Sequence, residues 1–192
     1  MYGRLYMVLQ RQFYKERALS TMKLPSEKKG HRETSLSVST SPRVTQRLQN
    51  HSSLTNEQVI KKFIEVVRSG YDPGQAELFM ANEITAHQMN SENRMSIIRT
   101  PKNYADHVKE MKEYFGDYMI EIEEIISQNQ KVYIRWKQTG KHIGEYEGYL
   151  PTGKEVVEIA SAVYRLENQK IVEYWIEIDR FGLIEQLKKN QK

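Results

Sequence analysis

In 171-IVEYWIEIDRFGLIEQL-187, Asp179 follows Trp175 on one parity of an alternating run and precedes an apolar helical turn, Phe181-Gly182-Leu183-Ile184. That position gives the carboxylate two readings. As a helix cap it accepts hydrogen bonds from the amides of the next turn and stays ionised. Against an indole it is desolvated, its pKa rises, and it can exchange protons near neutral pH as an acid–base catalyst must. Two histidines in the folded part lie outside its helices, His87 and His142, and both could carry chemistry. His142 sits in 139-TGKHIGEYEGYLPTGKEV-156, whose four glycines and one proline demand tight turns. A polar residue on the rim of those turns is its other reading.

Other chemistries find little support. The chain has no cysteine, which excludes disulfides, thiolate metal sites and cysteine nucleophiles. His87, His142 and Asp179 have no local metal-ligand spacing such as H-x-x-x-H. Phosphate-loop and dinucleotide fingerprints are missing, and no serine stands in a nucleophile-elbow sequence. Acid–base chemistry without metal or cofactor is what remains.

The elements that must position these groups follow from periodicity. Thr55-Asn56-Glu57-Gln58 reads as a capping box ahead of Val59, Ile60, Phe63, Val66 and Val67 at helical spacing, with the helix ending at Ser69-Gly70. Tyr71-Asp72-Pro73-Gly74 turns the chain, Glu83–His87 is short and strand-like, and Thr100-Pro101 starts a second helix with Tyr104, Val108, Met111 and Phe115 on one stripe. From Tyr118 the period is two: Val132, Ile134 and Trp136 alternate with Tyr133, Arg135 and Lys137, and Glu167-Asn168-Gln169-Lys170 makes a tight turn into the last strand. Hairpin-linked antiparallel strands with helices on one face make an α+β domain, with a cavity where the sheet wraps the helices.

Charge divides the chain. Residues 1–54 carry ten Lys/Arg against three Asp/Glu, and 55–192 carry nineteen against twenty-two. The basic balance therefore belongs to an arm of 1–54, and nucleic-acid binding would rest on that arm alone. Residues 20–54 read as a disordered linker. The first nineteen suit an unstructured start, a targeting or surface-binding arm, or a partner-binding helix. The ordered domain is expected over 55–192. No apolar run is long enough to span a bilayer, and the lack of cysteine fits the cytoplasm.

The run from Thr55 to Leu187 resembles the SnoaL-like polyketide cyclase (ester cyclase) family, which has the nuclear transport factor 2-like fold. The match is carried by His87 after the first strand-like segment, by 133-YIRWKQTGKHIGEYEGYLPTGKEV-156, and by 164-YRLENQKIVEYWIEIDRFGLIEQL-187. The second is similar to the family's R-W-x-x-x-G-x-H-x-G-x-x-x-G-x-x-P-T-G, and the third to its R-x-x-x-G-K-I-x-E-x-W-x-x-x-D-x-x-G-L-x-x-Q-L. The resemblance implies a cone-shaped, curled antiparallel sheet packed on N-terminal helices, a cystatin-like α+β barrel. Family members of known activity close a ring by intramolecular aldol condensation of a polyketide ester, without metal or cofactor, using an aspartate near the end of the last strand. That role falls on Asp179, with His87 and His142 assisting, and with Trp175, Trp136, Arg135 and Tyr146 as substrate contacts. The chain departs from the pattern at the Glu167-Asn168-Gln169-Lys170 turn, at Lys141, and in ending QLKK. The implied partner is a small, largely apolar carbonyl compound. A second copy of the chain docked through the sheet is expected from the strands themselves, whose apolar residues on both parities, as in Val156/Val157 and Ile176/Ile178, leave one face uncovered by the helices. A non-catalytic small-molecule-binding module of the same fold is the alternative.

Overall fold

The computed structural model describes residues 54–91 and 93–192, so the arm read from 1–54 lies, except for Leu54, outside the described residues. The first described helix starts where its sequence places it. The Thr55 hydroxyl accepts from the Gln58 amide at 3.2 Å, and the Gln58 side chain accepts from the Thr55 amide at 2.9 Å. This closed capping box begins α1, Asn56–Phe63, which buries Val59, Ile60 and Phe63. The helix then widens into a π-helical turn, Ile64–Arg68, and Gly70, at φ 76°, turns the chain. A 3-10 turn, Pro73–Leu78, leads into β1, Met80–Gln88, and β2, Met95–Arg99, returns antiparallel to it. A second capping box, Thr100 with Asn103, opens α2, Pro101–Phe115, whose Tyr104, Val108, Met111 and Phe115 are buried on one stripe.

The rest of the sheet follows as β3, Met119–Gln128, β4, Lys131–Lys141, β5, Glu155–Glu167, and β6, Lys170–Ile178, before α3, Arg180–Asn190. Strand order is β2-β1-β6-β5-β4-β3. All neighbours are antiparallel except β1 and β6, which the long route through α2 and four strands brings side by side in parallel. The β5–β6 turn places Asn168 at φ 48° and Gln169 at φ 60°, the left-handed pair a two-residue hairpin needs.

Alternation sorts the side chains as read from the sequence. Ile134, Trp136, Ala160, Ala162, Tyr164 and Tyr174 point inward to join Val59, Ile60, Phe63, Tyr104 and Val108 in the main core. One residue slips the pattern: Ile171 pairs with Leu166 but Glu173 with Arg165, so Val172 is a bulge. Ile176 and Ile178 pack against the core, so they do not supply the outward apolar surface expected of them. Val157 and Ile159 do face outward, and Ile159 is exposed.

Two close approaches fix the loop between β4 and β5. Ile143 and Gly144 donate their amides to the Tyr114 carbonyl at 2.9 and 3.1 Å. A Cβ on Gly140 would come within 2.7 Å of the Phe115 carbonyl, and one on Gly144 would run into the Glu113 carbonyl. The glycines are there because the loop lies flat on the end of α2. At the same end of the sheet, β6 stops opposite Ala160, and Gln186 of α3 takes over. Its side-chain amide accepts from the Val157 amide and donates to the Val157 carbonyl, both at 2.8 Å, extending the ladder by one rung.

Gly144→Ala should therefore destabilise the fold by about 2 kcal/mol through overpacking against backbone. Gly148→Asn, placed in open space at φ 82° where Asn is tolerated, should cost well under half as much. Thermal or urea unfolding of the two variants checks the difference.

Candidate functional site

The site is built on the inner face of the sheet, where a polar group interrupts an apolar column. On β4 the inward parity runs Val132, Ile134, Trp136, Gln138, and on β5 it runs Ala162, Ala160, Glu158, Val156. Gln138 and Glu158 are paired in register, 3% and 7% exposed. Opposite them the π-turn of α1 delivers Arg68, 4% exposed. Its guanidinium reaches Glu158 at 3.4 Å and donates to the Tyr118 hydroxyl at 3.3 Å, while that hydroxyl donates to the Arg68 carbonyl at 2.9 Å. The guanidinium carbon also stands 5.7 Å from the Trp136 ring centroid.

Burial pushes the Glu158 carboxyl up, and Arg68 opposes that shift only in part. Phe115, Gln138, Gly140, Val156, Glu158 and Leu183 line a recess with about 10 Å³ open to the centre of a water molecule, room for about one. Two buried polar atoms near it lack protein partners, Gln138 Oε1 and Trp136 Nε1. An acceptor, a donor, a desolvated carboxyl and a guanidinium thus share one face. That set can bind a carbonyl group, move a proton and stabilise a developing negative charge. Among the described residues, no three His, Cys, Asp or Glu side chains group as metal ligands.

The residues expected from the sequence are spread over three places. His87 and Trp175 are on the outer face, stacked at 5.1 Å between ring centroids and 9° between planes. There His87 Nδ1 meets Ser96 Oγ at 2.7 Å and Nε2 meets Glu173 at 2.9 Å, and Arg165 donates to the other Glu173 oxygen at 2.7 Å. Burial raises the Glu173 pKa, but Arg165 and His87 together bring it below the usual range. Arg135 is also on this face, paired with Glu123 and Glu124.

Trp136 and His142 are inside and fully buried. Neither ring nitrogen of His142 makes a regular hydrogen bond. Burial lowers its pKa against the opposing backbones of Gly144 and Tyr149. Tyr146 is half-buried, 4.9 Å from the Phe115 ring centroid. Asp179 is at the end of β6, exposed, where its carboxylate accepts from the Gly182 amide at 2.8 Å and caps α3. A Cβ on Gly182 would run into that carboxylate, which accounts for the Asp-x-x-Gly spacing.

Reasoning from motifs missed Arg68, Glu158 and Gln138. The signal was in the pattern: Gln138 and Glu158 are polar residues on the core parity, and Arg68 continues the spacing of Ile60 and Ile64 along α1.

Comparison with known proteins gives the family. Residues 57–187 match the family model described as SnoaL-like polyketide cyclase. A candidate polyketide cyclase from Acidithiobacillus ferrooxidans superposes with a TM-score of 0.64 at 21% identity, covering 72% of this chain and 97% of its own. IdmH, a candidate polyketide cyclase from Streptomyces antibioticus, gives 0.61 at 21% identity, covering 70% and 99%. AclR, a candidate hydroxylase from Streptomyces galilaeus, gives 0.60 at 20% identity, covering 70% and 85%. At these identities the structural likeness shows the fold. None of the curated proteins compared matches the chain.

One rim group is set to titrate in the working range. Glu147 is half-buried with Oε2 sealed and unpartnered, and burial, opposed by Arg180, carries its pKa from 4.5 to about 7. Because the folded-state value is raised, the associated stability is complete below the unfolded value and is lost as pH rises through about 7. Glu147→Gln should flatten the stability profile across that window. Solvent screening of a half-exposed group limits the change to about 1 kcal/mol, which urea midpoints measured at several pH values would detect.

Proposed function

The chain belongs to the SnoaL-like polyketide cyclase family, and from that premise we propose an acid–base enzyme of cyclase type acting on a small, largely apolar carbonyl compound. The observation that carries this reading is Glu158, a desolvated carboxyl with a raised pKa in a recess beside a guanidinium. In the proposed reaction Glu158 takes the acidic α-proton. The enolate forms close to the Arg68 charge and attacks a second carbonyl of the same molecule, already held nearby, so that proximity supplies much of the rate. Trp136 Nε1–H and Gln138 Oε1 are the polar contacts that would orient the substrate. Such chemistry requires no cofactor.

Asp179, the residue implied by the family resemblance, is the second candidate for the proton carrier. To serve it must release the Gly182 amide and turn from its cap; of the two expected histidines, His142 is buried and His87 is on the outer face. A non-catalytic binding module is the competing reading, favoured by that cap and by a recess that holds about one water. We read the unit that acts as residues 55–192, the arm of 1–54 as an appendage, and the cytoplasm as its compartment. No described helix is long and apolar enough to cross a membrane.

The test is turnover of a panel of aromatic β-keto esters by wild type, Glu158→Gln and Asp179→Asn, with binding and melting followed alongside. Glu158→Gln should lose at least about a hundredfold in rate, as removal of a general base does, while retaining ligand binding. Loss confined to Asp179→Asn would move the base to that residue. Ligand binding by wild type without turnover of any ester would favour the binding module.

We also propose that two copies associate through the outer face of β3, β4 and β5, where exposed Met119, Ile126 and Ile159 have no described element over them. Light scattering should give twice the chain mass. A monomer at high micromolar concentration would contradict it.

A further inference from the structure

The size of the recess says what fits in it. It offers about 10 Å³ to the centre of a water molecule, about the least that a cavity needs to hold one water. The body of an organic molecule is far larger. The polar side chains of its lining are Gln138 and Glu158, and they stand side by side, partners in register on β4 and β5. Arg68 engages Glu158 through Oε1 at 3.4 Å, which leaves Oε2 for a second partner. The Gln138 amide brings a donor and an acceptor to the same place, and its Oε1 has no protein partner. A buried water is held where about two to four polar groups receive it, and this pair meets that condition.

The same arrangement contains the parts of a hydrolytic step. A carboxylate beside a water can draw off its proton as the oxygen bonds to an electrophilic carbon, and an amide fixed by its strand can orient that water. Burial favours the neutral form of Glu158, and Arg68 opposes it, favouring the form that accepts a proton. The rest of the side-chain lining, Phe115, Val156 and Leu183, is apolar, and Tyr146 lies against Phe115. That surround suits a short, uncharged acyl group.

We infer that the recess is a one-water subsite, and that Glu158 and Gln138 present this water to the acyl carbon of a small apolar ester, giving the site a hydrolytic activity beside the carbon–carbon chemistry proposed above. The inference rests on reading Glu158 as the proton acceptor of the site. The water oxygen bonds to the acyl carbon while one water proton passes to Glu158. The ester C–O bond then breaks, Glu158 returns the proton to the departing alcohol oxygen, and the acid product keeps the water oxygen.

Hydrolysis of p-nitrophenyl acetate by the full chain in ¹⁸O-labelled water tests it, with protein in excess so that each molecule acts at most once. The acetate should carry one labelled oxygen, and at no time should the protein gain the mass of an acetyl group. Glu158→Gln should lose at least about a hundredfold in rate, and Gln138→Leu, which replaces the amide with an apolar side chain, about tenfold or more. Where Glu158→Gln does not fold, Gln138→Leu and the label in wild type decide. Acetylated protein, unlabelled acetate, no hydrolysis above that of the solvent, or an undiminished rate in either folded variant would each overturn the inference. Catalysed deuterium exchange at the α-carbon of ethyl acetoacetate reports the proposed proton abstraction separately. Exchange without hydrolysis overturns only the water subsite, and hydrolysis without exchange overturns only the cyclase reading.

Discussion

A guanidinium held inside a protein must be paid for by its neighbours, and in this chain the rest of the interior is arranged around that requirement. Arg68 reaches inward because α1 widens into a π-turn over Ile64–Arg68. It is received by a carboxylate from β5, a phenol from the segment between α2 and β3, and an indole from β4. Four separate parts of the sequence therefore meet at one side chain. Removing either member of such a buried ion pair leaves the other uncompensated, at a cost of about 3–5 kcal/mol, so the pair locks helix to sheet beside the recess.

The family signature reads differently once its residues are seen in place. Gly140 and Gly144 let a loop lie on the end of α2, Trp136 fills core, Gly182 makes room for the Asp179 cap, and Gln186 and Leu187 fasten α3. His142 holds its loop through its backbone, accepting from Thr152 and Gly153 and donating to Lys154. These residues build the framework around the recess. Its buried polar groups, Glu158 and Gln138, and the Arg68 that reaches Glu158 lie between or outside the motif positions. The signature residues of this chain thus carry its architecture, in keeping with a fold that hosts many functions.

Much of this architecture was legible in the sequence, for reasons that are local. The Thr55 capping box, the Thr100-Pro101 helix start, the α2 stripe, the β4 and β5 alternation and the 168–169 turn rest on contacts within a few residues, where spacing determines geometry. What escaped was non-local. β2 was missed because Met95–Arg99 is a short edge strand whose Met95, Ile97 and Ile98 are only partly covered. The π-turn follows from what α1 packs against. Arg68 and Arg99 read as surface cations until the chain is closed. His87 and Trp175 do come together, through a parallel β1–β6 pairing that hairpin logic does not anticipate, and that pairing puts them on the outer face. The two readings of Asp179 were both visible in its neighbours, and its geometry is that of the cap.

The amide of Gln186 has a meaning beyond fastening a helix. Where β6 ends, β5 would otherwise present a bare hydrogen-bonding edge to any extended chain that drifted near. A side chain that imitates one rung of a strand occupies that edge, so the protein guards itself there against strand addition and the aggregation that follows from it. The outermost strand at the opposite margin uses another device, a row of acids, Glu121, Glu123 and Glu124, neutralised by Lys137 and Arg135 on its neighbour. Protection of the strand margins in this chain therefore rests partly on side-chain amides and ion pairs.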